Sequence, residues 1–249
     1  MFFRCELVIV IVGLTLDGQV RTGEIVGGHE AVAHSRPYMV LLDQHAEDGK
    51  KKYCGGFLLN EDFVMTAAHC KAWSSYVLLG LHNYHNRTGV QRVRVKQTFL
   101  HEDYNAVTYE NDIMLLKLST KAIFNENVKP IALADQGDGS VPKSCTVSGW
   151  GRTNRIIESL SLILMEVNVT LNDSDQCNKD KTYCSKGDNG PAKGDSGGPL
   201  VCEDGKAYGV VSSRKLDSDD LEIYSYAKIP HYRSWIESKM KPQRKPYIW

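Results

Sequence analysis

The chain has no excess of either charge: 30 Lys and Arg balance 30 Asp and Glu. Bulk charge therefore gives no basis for nucleic-acid binding or for a strongly acidic partner. No stretch beyond the first residues is long and apolar enough to cross a bilayer, which excludes a helical membrane protein over that part of the chain. No Cys-x-x-Cys pair occurs, so the usual framework of a structural zinc site is missing. Internal repeats and low-complexity linkers are absent too. What is plentiful is apolar residues, 42% of the chain, enough for one large β domain or two of medium size.

The start of the chain reads as a secretory signal. Arg4 supplies the positive end, an apolar run follows from Leu7 to Leu16, and Asp17 stops it. About ten apolar residues suit a signal core rather than a membrane span. Residues 1–22 are assigned to this signal. Of seven cysteines, Cys5 lies within it. The six that remain, an even number in an exported chain, read as three disulfides formed in an oxidising compartment. Count alone fixes no pairing. Asn-x-Ser/Thr sequons at Asn86, Asn168 and Asn172 are expected glycosylation sites on exposed segments.

Short apolar runs alternate with turn residues throughout, for example at 38–42, 63–68, 76–80 and 208–212. Arg92-Val93-Arg94-Val95-Lys96 alternates as a half-exposed strand does. Ile, Leu and Val content suggests a further strand over 161–169. Many short strands with frequent turns predict a β sandwich or barrel. Only the end reads as a helix, from His231 to about Met240, with Tyr232, Trp235 and Ile236 on one face. Beyond it lies a basic tail with Lys239, Lys241, Arg244 and Lys245, read as a solvated helix end with proteoglycan binding as the functional alternative.

Four local patterns carry chemistry. In Gly194-Asp195-Ser196-Gly197-Gly198-Pro199-Leu200, a serine sits in a tight glycine-rich turn. A serine hydroxyl is a poor nucleophile until a base takes its proton. Attack on an amide creates an oxyanion, which backbone N–H groups of Gly194 and Ser196 are placed to hold. Thr66-Ala67-Ala68-His69-Cys70 offers one histidine of eight, pinned at a strand end by small neighbours and a cysteine. An imidazole can accept and return a proton, which suits proton shuttling. Glu110-Asn111-Asp112-Ile113-Met114-Leu115-Leu116 carries a carboxylate into an apolar strand, where it needs a donor. His69 is the obvious one. Ile25-Val26-Gly27-Gly28 makes most sense beside these three as a new N-terminus made by cleavage. Its ammonium would bury itself against Asp195. Each pattern alone has a bland reading: a glycine turn, an ordinary histidine, a solvent-facing aspartate, a strand and turn.

Together, and in the order His, Asp, Ser, the four patterns resemble the chymotrypsin-like serine proteases over roughly residues 25–240. The resemblance implies an all-β chain of two six-stranded antiparallel β-barrels with a short C-terminal helix. Residues 25–135 would form the first barrel, with His69 and Asp112, and 136–249 the second, with Ser196. It implies a Ser196–His69–Asp112 catalytic triad and an oxyanion hole at Gly194 and Ser196. It implies activation through Ile25 and Asp195, and disulfides Cys54–Cys70, Cys145–Cys202 and Cys177–Cys184. No cofactor is implied. No metal is implied either, since the loop after Gly80 lacks the acidic cluster of calcium-binding members. The expected partners are protein or peptide substrates and serpin-type inhibitors, with no nucleic acid and no membrane, for a monomer that is secreted or stored in secretory granules.

Departures from the pattern narrow the subfamily. Ala192 and Ser218 stand where the family's disulfide beside the specificity pocket would be, as in granzymes and related mast-cell and neutrophil granule proteases. Residue 24 is Glu rather than Arg or Lys, so a signal cut after Thr22 leaves an activation dipeptide, Gly23-Glu24. Gly190 occupies the pocket base, where trypsin-like cleavage after Arg or Lys requires Asp. Ser212-Ser213-Arg214 replaces the usual Ser-Trp-Gly, with Ser212 still able to support Asp112. Tyr224 replaces the other pocket-wall glycine. Three specificities follow: an acidic side chain received by Arg214, a pocket closed by Tyr224, or a small to medium apolar preference. A non-catalytic homologue serving as a binding scaffold is the alternative from another functional class.

Overall fold

The computed structural model describes residues 25, 27–137, 142–153, 159–172, 177 and 181–241. The signal region, the dipeptide 23–24 and the tail residues Arg244 and Lys245 lie outside them. The described residues form thirteen strands and one α-helix.

Six strands close the first barrel in the order β2-β3-β4-β7-β6-β5. They are β2 (Met39–His45), β3 (Lys51–Leu58), β4 (Phe63–Thr66), β5 (Ser74–Leu79), β6 (Gln91–Leu100) and β7 (Met114–Leu118). Side chains alternate across each strand. Val93 of β6 thus points inward while Arg92 and Arg94 stay exposed. Val40, Leu42, Phe57, Met65, Leu79 and Leu115 fill the centre. Each such side chain stabilises the fold by about 1.5–3 kcal/mol when fully buried.

The second barrel runs β9-β10-β13-β12-β11-β8 and closes through β8 and β9. It comprises β8 (Ser144–Gly149), β9 (Met165–Asn172), β10 (Thr182–Lys186), β11 (Pro199–Cys202), β12 (Ala207–Leu216) and β13 (Glu222–Lys228). The two-residue β1 (His29–Glu30) adds to β9 at its edge. Ile25 is buried in this barrel's core with Val147, Val167, Leu200 and Tyr226. Ile25 and β1 therefore belong with the second barrel, whereas a first barrel starting at residue 25 places them with the other. Pairing and burial, which sequence order does not report, decide this.

Two element boundaries also differ from expectation. The strand expected over 161–169 begins only at Met165 and continues to Asn172. Before it, Ser161 turns the chain: its hydroxyl donates to the Ile163 carbonyl at 2.7 Å, and its N–H is taken by Trp150 and Gly151. The helix α1 (Ile229–Met240) starts before His231, with Pro230 in its first turn, where a fixed φ and a missing N–H are tolerated. Its Ile229, Tyr232 and Ile236 are buried in the cluster that also holds the first barrel's core. Trp235 stays at the rim and donates to Glu102 at 2.9 Å.

The three disulfides are Cys54–Cys70, Cys145–Cys202 and Cys177–Cys184. The first ties β3 to the single 3-10 turn Ala68–Cys70. The second locks the paired strands β8 and β11, where Cys202 is the register partner of Cys145. Asn86, Asn168 and Asn172 are all exposed.

Candidate active site

Strand register brings the first two residues of the site together. Thr66 of β4 pairs with Met114 of β7 in an antiparallel ladder. The residues just after β4 and just before β7 therefore meet at one end of the barrel. There His69 Nδ1 lies 2.7 Å from Asp112 Oδ2, and the His69 backbone N–H donates to Asp112 Oδ1 at 2.8 Å. Ser212, from β12 of the other barrel, donates its hydroxyl to Asp112 Oδ2 at 2.6 Å. Asp112 is 1% exposed. A carboxylate this deeply buried is tolerated because both its oxygens accept strong hydrogen bonds.

The approach to Asp112 is held from outside. Tyr109 and Asn111 adopt left-handed backbone conformations, φ 60° and 55°. The Asn111 side chain donates to the Asp103 carbonyl at 2.9 Å and accepts from the Tyr232 hydroxyl at 3.3 Å. Helix α1 thus steadies the loop that delivers Asp112. Tyr109 also sets its ring edge-on to His69, with 5.6 Å between centroids.

Ser196 sits on the turn leading into β11. Gly197 beside it has φ +83°, and an added Cβ would lie 2.0 Å from Thr66 Oγ1, so only glycine fits. The N–H groups around this turn divide into two sets. Those of Asp195, Gly197 and Gly198 are consumed by the carbonyls of Ala192, Val211 and Asp195. Among the described residues those of Gly194 and Ser196 find no acceptor. This leaves two donors at one turn, the arrangement that holds an oxyanion. His69 and Ser196 line the same cleft but form no hydrogen bond to each other. Such contacts often tighten only when substrate is bound.

Asp195 points the other way, into the second barrel, and is fully buried. Gly151 and Ala192 donate backbone N–H groups to its two oxygens at 2.7 and 2.9 Å. Gly149-Trp150-Gly151 leaves room for it: a Cβ on Gly151 would fall 2.3 Å from Asp195 Oδ2. No cation lies within ion-pair distance of Asp195 among the described residues. Burial therefore pushes its carboxyl up from 3.8 to about 7, against the opposing effect of the two N–H donors.

The cleft has a volume of about 720 Å³ and is walled by both barrels. Its floor is Tyr224, only 2% exposed. The ring packs against Gly190 so closely that a Cβ there would be 2.5 Å from Cε2. Tyr224 thus takes the space that Gly190, lacking a side chain, leaves open. Arg214 is its register partner across the strands. It donates to Glu222 Oε1 at 3.1 Å, so the guanidinium already faces a carboxylate. Cys54, His69 and Cys70 bring metal-type ligand atoms together, but the two sulfurs are joined as a disulfide and offer no thiolate.

The sequence profile of the trypsin family matches residues 25–236. The chain belongs to the trypsin family of serine endopeptidases. Among curated relatives of this trypsin-family chain, bovine (Bos taurus) duodenase-1 is 41% identical over 94% of this chain and 96% of its own length. Granzyme E of Mus musculus is 37% identical over 94% of this chain and 98% of its own. Granzyme B of Rattus norvegicus is 38% identical over 95% of this chain and 99% of its own. A solved structure of GrC superposes with a TM-score of 0.77 at 35% identity, covering 88% of this chain and all of that one.

In this trypsin-family chain, sequence motifs located His69, Asp112, Asp195, Ser196, Gly194, Gly190, Ser212, Arg214 and Tyr224. They missed the residues that complete the cleft walls: Lys51, Lys52, Tyr109, Arg152, Leu160 and Lys193. Lys193 immediately precedes Gly194, which was a usable signal. The Glu222 partner of Arg214 lay in the same hairpin and was equally in view.

Proposed function

We propose that this endopeptidase works through an acyl-enzyme on Ser196 and stays silent until Ile25 becomes the N-terminus. Ser196 Oγ forms a bond to the scissile carbonyl carbon while its proton passes to His69 Nε2. The N–H groups of Gly194 and Ser196 hold the oxyanion. His69 then protonates the leaving amine as the C–N bond breaks. Water attacks the ester carbon as His69 takes its proton; the acyl C–Oγ bond then breaks, His69 returns the proton to Ser196 Oγ, and the carboxylic acid product leaves. Asp112 orients the imidazole and stabilises the imidazolium. The observation that carries this reading is the buried Asp112, hydrogen-bonded to His69 and Ser212, with His69 lining the same cleft as a turn whose Gly194 and Ser196 N–H groups find no acceptor among the described residues.

Removal of Gly23-Glu24 supplies the missing cation. Ile25 is already buried in the second barrel, and Asp195 is a buried carboxylate without an ion-pair partner among the described residues. A released ammonium beside Asp195 fixes the Ser196 turn. The three disulfides fit an oxidising, secretory location. Specificity is not trypsin-like. Gly190 offers no carboxylate to Arg or Lys, and the Tyr224 ring packs against it, which narrows the space a substrate side chain can enter. Arg214, already engaged by Glu222, is a weaker receptor for an acidic side chain than its position suggests.

The filled pocket is also the observation that favours the scaffold reading. One experiment separates the two. The processed protein is treated with a fluorophosphonate probe and assayed on a protein substrate. Labelling and cleavage that both vanish in Ser196→Ala support the protease. Absence of both in the wild type supports the scaffold.

A further inference from the structure

The chain is electrically neutral overall, yet its cleft is not. Five cationic side chains line it: Lys51, Lys52, Arg152, Lys193 and Arg214. Among the described residues no Asp or Glu lines it. Asp112 and Asp195 are buried beneath their partners, and Glu222 is spent on Arg214. In a chain with equal numbers of the two signs, a cleft with one sign only is a built field. Low-dielectric walls focus it on whatever enters.

The cations stand on both sides of Ser196. β3 abuts one side: Gly55 donates to the Ser196 carbonyl at 2.7 Å, and Lys51 and Lys52 lie just upstream. β12 abuts the other: Gly197 donates to the Val211 carbonyl at 2.8 Å, and Arg214 follows three residues on. Lys193 is adjacent to the oxyanion turn itself. Lys51 and Lys193 are exposed and form no ion pair or hydrogen bond through their side chains among the described residues. Lys52 is held inward by a 2.7 Å bond to the His69 carbonyl. The free charges are therefore the exposed Lys51 and Lys193, while Tyr224 packs against Gly190 within the cleft.

We infer that the cleft selects acidic peptide segments, reading Asp or Glu residues that flank the scissile bond through the unpaired Lys51 and Lys193 of its rim rather than through a deep side-chain pocket. This rests on the proposed role of the cleft as the substrate site. An extended peptide added along β12 turns alternate residues toward the cleft wall, so two or three carboxylates reach the rim cations at once. Rim charges of this kind set specificity and association rate, and salt screens them.

The test uses full-length processed protein carrying Ser196→Ala, so that binding is read without turnover. Three fluorescent peptides share one neutral centre and carry Asp and Glu, Asn and Gln, or Lys on both flanks. Fluorescence anisotropy at low salt is expected to give roughly tenfold tighter binding of the acidic peptide than the neutral one. The Lys peptide should be weakest. The advantage should fall below about threefold at roughly 0.5 M salt. The K51E/K193E double variant should invert the order of the acidic and Lys peptides. Equal binding of acidic and neutral peptides at low salt overturns the inference, even if the Ser196 enzyme cleaves both. Preferential acidic binding, with no hydrolysis by the Ser196 enzyme, sinks the protease reading and leaves the inference standing.

Discussion

Each barrel contributes one buried aspartate to the site, and the two live differently. Asp112, at the start of β7, accepts from His69 twice and from Ser212, and every donor is in place in the folded chain. Asp195, before the nucleophile, is more deeply buried but accepts only two backbone N–H groups. Burial therefore raises its carboxyl to about 7. The first carboxylate is a finished component. The second is held in a position that favours its neutral form, which makes it responsive to an arriving positive charge. On the proposed mechanism, the difference gives chemistry to the first barrel's aspartate and control to the second's.

Removing the charge at each position should separate these roles most sharply. Asp112→Asn in the processed protein should lower kcat by about 10⁴, the magnitude associated with this family's triad, while the fold persists. Steady-state kinetics and thermal unfolding check both halves. Retention of most of kcat would break the distinction. Asp195→Asn should leave the unprocessed chain at least as stable at neutral pH, because it removes a carboxylate that folding disfavours in charged form.

Next in size is the pH dependence of stability before cleavage. In the unfolded chain Asp195 ionises near 3.8, and in the folded chain near 7. The folded state therefore binds the extra proton between those values. Its contribution is fully present below about pH 4 and is lost as pH rises through about 7. The loss is on the order of 4 kcal/mol. Denaturant titrations of the unprocessed Ser196→Ala protein from pH 4 to 8 should show this fall, and Asp195→Asn should remove it. After processing, the Ile25 ammonium lowers the Asp195 pKa, and the slope should flatten or reverse.

The smallest effect concerns the floor of the cleft. Tyr224→Gly should open the space against Gly190 and raise kcat/KM for substrates with bulky apolar side chains before the scissile bond. The gain expected is roughly 10–200-fold, the range that pocket volume commands. A side-chain library at that position reads the change. An unchanged profile would mean that Tyr224 does not limit entry.

Much of this was legible from residues alone. Alternation at 92–96 and the short apolar runs gave strands because side-chain period is a local property. The patterns around Ser196, His69 and Asp112 carried their own chemistry, and the resemblance supplied the disulfide pairing. What was not legible depends on distant segments meeting. Lys51 and Lys193 lie far apart in the chain and share one rim only after both barrels close. The fate of Tyr224 depended on its ring reaching Gly190 across the pocket. Assignment of Ile25 and β1 to the second barrel depended on the burial of Ile25 in that core and the pairing of His29 and Glu30 with β9. The late start of β9 followed from Ser161, whose side-chain bond to Ile163 competes with a ladder there.

The most direct test follows one preparation through processing. Fluorophosphonate labelling of Ser196 is timed before and after a dipeptidyl peptidase removes Gly23-Glu24, with release of the Ile25 amine checked by N-terminal sequencing. The account predicts a rise in labelling rate of at least about 100-fold, the scale set by losing or gaining an oxyanion donor, and its loss in Asp195→Asn. Equal labelling before and after, with the amine demonstrably free, would contradict it.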